Sequence, residues 1–306
     1  MQPYTLIFFS TGTISIPLFD QLLKDERFKV LGLVCQPDRG PLQEIKKLAL
    51  RAGLPVHQPE KLSKDRVLLE EIRQNPPDFF LTFSYGQILN EDWLSLPKIA
   101  PLNVHPSLLP KYRGPTPPQA ALLNGDRESG ISLIKMTKGM DEGPLAFQEK
   151  MSIPEHASSA ILFDLFGELA AKTIPDAIVQ VAQQGAAIFK EQNHAEASYC
   201  PLIEREDGRV NFQESAQKIL NRFRAYTPWP GLFTSYQGKR LKLLDIEITS
   251  DALEPGKVHC DKHSILIGTS DGAIKVKTLQ LEGKNALHPE AFIAGQPQFC
   301  SSSLPS

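Results

Sequence analysis

The chain has 306 residues, 41% of them hydrophobic and 22% charged, with a formal net charge of −2. That length suits two domains, that composition excludes a disordered chain, and that charge excludes nucleic-acid binding by overall attraction, so any such partner needs a local basic surface. The cysteines Cys35, Cys200, Cys260 and Cys300 are scattered and form no CxxC, which argues against a zinc site or a disulfide framework and fits a reducing cytosol.

The opening MQPYTLIFFSTG has a short apolar run and no basic stretch before it, so it reads as a first strand and not a signal peptide. No apolar run is long enough to span a membrane. YTLIFFS (4–10) is continuously apolar, as a strand buried on both faces is, and STGT then IPLFDQLL follow as turn and helix. FKVLGLVC (28–35) is a second strand of that kind. LQEIKKLALRAG (42–53) predicts a helix with apolar Leu42, Ile45, Leu48 and Leu50 and a stop at Gly53. DRVLLEEIRQN (65–75) predicts another helix, DFFLTFS (78–84) a strand, and PLNVHP a short strand after it.

This alternation predicts an α/β, Rossmann-like, doubly wound and mostly parallel sheet, whose ligands sit at the carboxyl ends of strands. SGISLIKMTKGMDEG (129–143) reads as a strand entering a loop. SAILFDLFGELAAKTIPDAIVQVAQQG (159–185) is the longest helical pattern, which Pro175 is expected to kink or split. The polar, aperiodic stretch from 190 to 204 reads as a linker between a domain over 1–189 and another over 205–306. The second begins with a helix, SAQKILNRFRAY (215–226), and continues in short strands, the pattern of a smaller OB-like β-barrel. The tail CSSSLPS reads as frayed.

LNVHPSLLPKYRGPTP (102–117) is too polar for a core strand and too rich in proline for a helix. Period-two alternation puts Asn103 and His105 on one side of a strand, where a carboxamide and an imidazole can stabilise an oxyanion and move a proton. A single His is more often structural, but an Asn two residues before it and a polar Pro-rich loop after it favour function. Asp141 in KGMDEGP reads on its residues alone as a plain turn. Lys46 and Lys47 read as a solvated helix face.

NVHPSLLPKYRG and the later MDEGP resemble the two signatures of the folate-dependent formyltransferases. The resemblance runs through nearly the whole chain. FFSTGTISIPLFDQLL, CQPDR (35–39), AGLPVHQP, FSYGQIL (83–89), NGDRESGISL, RAYTPWPG (224–231) and LQLEGKNAL (279–287) are similar to the branch that acts on methionyl-tRNA. The resemblance implies catalysis by Asn103, His105 and Asp141, which reverses the reading of Asp141. It implies 10-formyltetrahydrofolate as formyl donor, held by Ser107, Leu108, Leu109 and Pro110 and by Tyr85, Gly86, Gln87 and Ile88, with no metal. It implies methionyl initiator tRNA as acceptor, in the cytoplasm, with no membrane partner and a monomeric chain. A sugar-nucleotide N-formyltransferase using the same donor is the alternative.

One departure concerns the glycine- and lysine-rich loop that the tRNA branch usually carries after QPDR. Here Gly40-Pro41 leads at once into the helix. The chain from 201 on has 13 Lys+Arg against 12 Asp+Glu, so a grip on tRNA needs clustering. Arg113, Arg222, Arg224, Lys239, Arg240, Lys242 and Lys284 are the candidates.

Overall fold

The computed structural model describes residues 2–41 and 43–305, so the expected helix position Leu42 lies outside the described residues. In chain order the elements are β1 (Tyr4–Phe9), α1 (Ile16–Lys24), β2 (Phe28–Val34), α2 (Glu44–Arg51), β3 (Val56–His57), α3 (Arg66–Gln74), β4 (Phe79–Thr82), α4 (Glu91–Leu94), β5 (Ala100–His105), α5 (Pro117–Leu123), β6 (Glu128–Lys135), β7 (Leu145–Ser152) and α6 (Ser159–Gln184). They are followed by α7 (Ala216–Tyr226), β8 (Leu232–Tyr236), β9 (Lys239–Thr249), β10 (Val258–Cys260), β11 (Ile265–Gly268), β12 (Ala273–Leu281) and α8 (Pro289–Gly295). Two compact units result, one of residues 1–118, 127–153 and 161–201, the other of 119–126, 154–160 and 202–306.

The first unit holds a seven-stranded sheet in the order β3-β2-β1-β4-β5-β6-β7. β1 to β5 pair in parallel, whereas β6 joins β5, and β7 joins β6, antiparallel. Strand order reverses between β1 and β4, so a crevice opens at the carboxyl ends of those strands. Residues 6–9 of β1 and all of β4 are buried, as continuous apolar runs require. Phe9 meets Phe80, Tyr85 and Trp93 edge to face, with ring centroids 4.9, 5.5 and 6.3 Å away. Each such pair adds about 0.5–1.5 kcal/mol beyond the area it buries.

α3 starts where Asp65 accepts the Leu68 N–H, and α2 ends before Gly53, which takes the left-handed conformation (φ 69°) that its stop role needs. α6 runs as one helix through Pro175, so of the expected kink or split the split does not occur. Pro175 costs about 3 kcal/mol, but Phe166, Ala170, Ile174, Ile178 and Val181 are all completely buried along the helix and outweigh it. β7 was not anticipated. Its residues are half-buried or exposed, so no apolar alternation marks it.

The segment from 190 to Pro201 groups with the first unit. Lys190 and Leu145 exchange backbone hydrogen bonds of 2.8 and 2.7 Å, and Ser198 accepts from Arg113 N–H at 2.8 Å while donating to the Pro110 carbonyl at 3.2 Å. Lys46 also departs from expectation. Its ammonium pairs with Asp38 at 2.5 Å and with Gln58, and its side chain is only 16% exposed.

The second unit carries a five-stranded antiparallel sheet, β10-β11-β12-β9-β8. Two expectations fail here. Cys260 at the end of β10 is disulfide-bonded to Cys300, and the tail is docked. Ser302 accepts the Val258 N–H, Leu304 donates to the Gly256 carbonyl, and Leu304 is 5% exposed. The separation of 40 positions between the two cysteines hid their pairing, since the fold brings them together. Closing a loop of that length stabilises by about 2–4 kcal/mol. Cys300→Ser is expected to lower the urea-unfolding free energy by about that much, measured against the unreduced wild-type protein.

Candidate active site

β5 pairs with β4 through Thr82 and Asn103, then continues for two residues past the end of β4. Asn103 and His105 therefore face the same side just above the sheet edge. Thr82 Oγ1 donates to Asn103 Oδ1 at 2.6 Å, which fixes the amide with its NH2 outward. That Nδ2 lies 3.4 Å from Asp141 Oδ1. His105 is 3% exposed. Its Nε2 is 2.9 Å from the Tyr112 carbonyl, so Nε2 carries a proton and donates it there. Nδ1 is left facing Asp141 Oδ2 at 3.6 Å. The three side chains that the resemblance singled out are thus one cluster.

Asp141 comes from the loop between β6 and β7 and has φ 54°, a left-handed conformation that is uncommon for a non-glycine residue. Its Oδ2 also accepts the Gly114 N–H at 2.9 Å. Gly114 has φ 116°, and a Cβ there would collide with the Cys200 carbonyl. A carboxylate with one backbone donor, one amide beside it and an imidazole nitrogen 3.6 Å off can stabilise an imidazolium and orient it. Burial pushes the Cys35 thiol up to about 11 and raises that of Cys200, so neither free cysteine is a thiolate near neutral pH.

The expected folate residues divide by what holds them. Ser107 is fully buried and donates to the Lys111 carbonyl at 2.6 Å. Leu109 is buried, its N–H donating to Ser132 Oγ and its carbonyl accepting from Gln148. Leu108 and Pro110 are half-buried. The Tyr85 ring lies in the core, and its Oη has no partner. The Gln87 amide is spent on Pro59 O and Leu62 N–H. Gly86 and Ile88 are exposed, Ile88 by 77%.

Arg113 is not a surface cation. It is 1% exposed, with its guanidinium on Gln192, His194 and Tyr199, so it cannot meet tRNA from outside. Arg222 is tied to Glu214 and the Asp207 carbonyl, and Arg224 to the Pro154 and Ala157 carbonyls. Lys239, Lys242 and Lys284 are exposed. The Arg240 guanidinium lies 3.8 Å over the Phe233 ring and pairs with Glu206. Lys239 and Arg240 line a concavity of about 350 Å³ together with Arg205 and Arg209, two residues that the polar run REDGR had concealed.

Residues 6–178 match the family described as formyl transferase, and residues 202–297 match its C-terminal domain. A methionyl-tRNA formyltransferase of Thermodesulfovibrio yellowstonii is 34% identical over 95% of this chain and 96% of its own length. One from a Thermotoga species is 37% identical over 92% of each. Among solved structures, an N-formyltransferase from Helicobacter canadensis, in complex with folinic acid and dTDP-3-aminofucose, is similar in fold with a TM-score of 0.67. It is 20% identical and spans 90% of this chain and 98% of its own.

Thr82→Val removes the donor that orients the Asn103 amide and leaves its oxygen unmet. A loss of about 1–3 kcal/mol in folding free energy is expected, read by urea unfolding.

Proposed function

The chain belongs to the formyl transferase family, and we propose that it moves the formyl group of 10-formyltetrahydrofolate onto the α-amino group of methionyl initiator tRNA. It is an enzyme, and its reaction is the formylation of methionyl-tRNA. The observation that carries the site is the convergence of Asn103, His105 and Asp141 in one cluster of one chain. That convergence also supports a single chain as the working unit. Formylated initiator tRNA serves translation, which puts the enzyme in the cytoplasm. Among the described residues, no helix is long and apolar enough to cross a membrane.

The amine attacks the formyl carbon, and the formyl oxygen becomes an oxyanion. Asn103 Nδ2 has two hydrogens and directs one at Asp141, so the other serves the oxyanion. His105 donates through Nε2 to Tyr112 and receives the amine's proton at Nδ1, with the Asp141 carboxylate holding the resulting imidazolium. The proton then goes to the folate nitrogen as its bond to the formyl carbon breaks. One C–N bond forms, one breaks, and no outside reductant or metal enters that balance.

Exposed Ile88 and Gly86, between buried Tyr85 and Leu89, support a flat heterocycle lying over this loop, and the half-buried Leu108 and Pro110 are further apolar groups for it. Lys239 and Arg240, which line one concavity with Arg205, Arg209 and Glu282, are the basic group suited to the tRNA backbone, with Lys242 and Lys284 as further exposed cations. Lys46, paired with Asp38, does not stand in for the shortened loop after Arg39.

Formyl transfer from 10-formyltetrahydrofolate is to be assayed with methionyl initiator tRNA, uncharged tRNA and an amino-sugar nucleotide as separate acceptors. Product on methionine alone is expected, and product on the sugar alone would favour the other acceptor. His105→Ala and Asp141→Asn are each expected to lower kcat by about a thousandfold with the fold retained. Rates near wild type in either variant would remove that residue from the mechanism.

A further inference from the structure

Gln192 sits in a stretch whose sequence reads as a solvated connection, yet it is 4% exposed and every hydrogen-bonding atom of its amide is used. Its Oε1 accepts from Arg113 Nε at 3.2 Å and Nη2 at 2.8 Å. Its Nε2 donates to the backbone carbonyls of Asp141 at 2.8 Å and Gly143 at 2.7 Å. The two ends have different jobs. A carboxamide rotated by 180° would point its oxygen at two carbonyls and its NH2 at a cation. Arg113, buried and itself steadied by His194 and Tyr199, excludes that orientation.

The grip falls on the backbone of a residue held at φ 54°. Such a conformation persists where surrounding contacts over-determine it. Gly143 contributes by closeness, since a Cβ there would collide with the Lys135 carbonyl. The Asp141 side chain is meanwhile held by the N–H of Gly114, the neighbour of Arg113. The segment 113–114 therefore fixes Asp141 twice, once directly at its carboxylate and once through Gln192 at its backbone.

We propose that Gln192, oriented by Arg113, is a positioning residue that holds Asp141 in the left-handed conformation from which its carboxylate faces His105. This rests on the reading of Asp141 and His105 as the catalytic pair. It makes no contact with either substrate necessary.

Gln192→Glu separates this role from mere support of the buried arginine. The carboxylate still accepts from Arg113 but can no longer donate to the two carbonyls. The expected result, measured well below the melting temperature, is a fall of about a hundredfold in kcat with KM for folate and for methionyl-tRNA within about twofold of wild type, alongside a lowered thermal melt because two buried carbonyls lose their donor. In an Asp141→Asn background the same substitution is expected to cost less than about threefold, because its route of action is already lost. Arg113→Lys, which keeps the charge but not the fork on Oε1, is the second variant. It is expected to show the same selective loss in kcat at about tenfold, and it decides the matter if Gln192→Glu does not fold. Wild-type kcat in both variants, or equal losses from Gln192→Glu with and without Asp141, would overturn the proposal. Failure of the underlying reading is distinguishable, since Asp141→Asn alone would then retain activity.

Discussion

An antiparallel strand added beside a parallel one is the constraint on which the candidate site rests. A further parallel strand would run with β5 toward the sheet's carboxyl end. β6 instead turns back along β5, with Ser132 opposite His105 and Lys135 opposite Leu102. The next loop can then curl over Asn103 and deliver Asp141 to the imidazole. A shift of register by one residue would turn Asn103 and His105 to the other face of the sheet. The buried network of Ser132 Oγ with Ser107 O, Leu109 N–H and Gln148 keeps that register specific.

The same arrangement explains how the polar atoms at the site are committed. Thr82 occupies the Asn103 oxygen, Tyr112 one nitrogen of His105, and Gly114 one oxygen of Asp141. What remains uncommitted is one amide hydrogen of Asn103 and the His105 nitrogen that faces Asp141. Rigidity here comes from backbone partners and not from the size of the core. The stretch from 190 to 201 therefore matters more than its sequence texture suggests.

The parallel part of the sheet was legible because doubly buried strands write themselves as continuous apolar runs, and Asn103 with His105 was legible because two residues on a strand share a face. Asp141 was not, since its partner lies across the β5–β6 pairing, and only the family resemblance pointed to it. Arg113 was taken for a surface cation, and the roles of Gln192 went unseen, for a common reason. A polar run looks the same whether its groups meet water or each other, and burial of a hydrogen-bonded network leaves no hydrophobic signal. The half-buried β7, the docked tail and the Cys260–Cys300 bond share that limit, because each depends on contacts between segments far apart in the chain. The cations of the second unit show it as well. Arg222 and Arg224 are spent on carbonyls and a carboxylate, and Arg209 is paired with Glu206, although nothing in the sequence around them marks these partners.

The docked tail has a further consequence for the five-stranded sheet, whose outer strands are β10 and β8. Residues 302–304 hydrogen-bond along 256–258, while Val210 donates to Phe233 at the opposite border. Each border carries backbone groups that would otherwise template a strand from a neighbouring molecule. Both are partly occupied by the chain's own segments, and the disulfide fastens one of them. Neither edge strand of this sheet therefore presents a fully open row of backbone donors and acceptors to a neighbouring molecule.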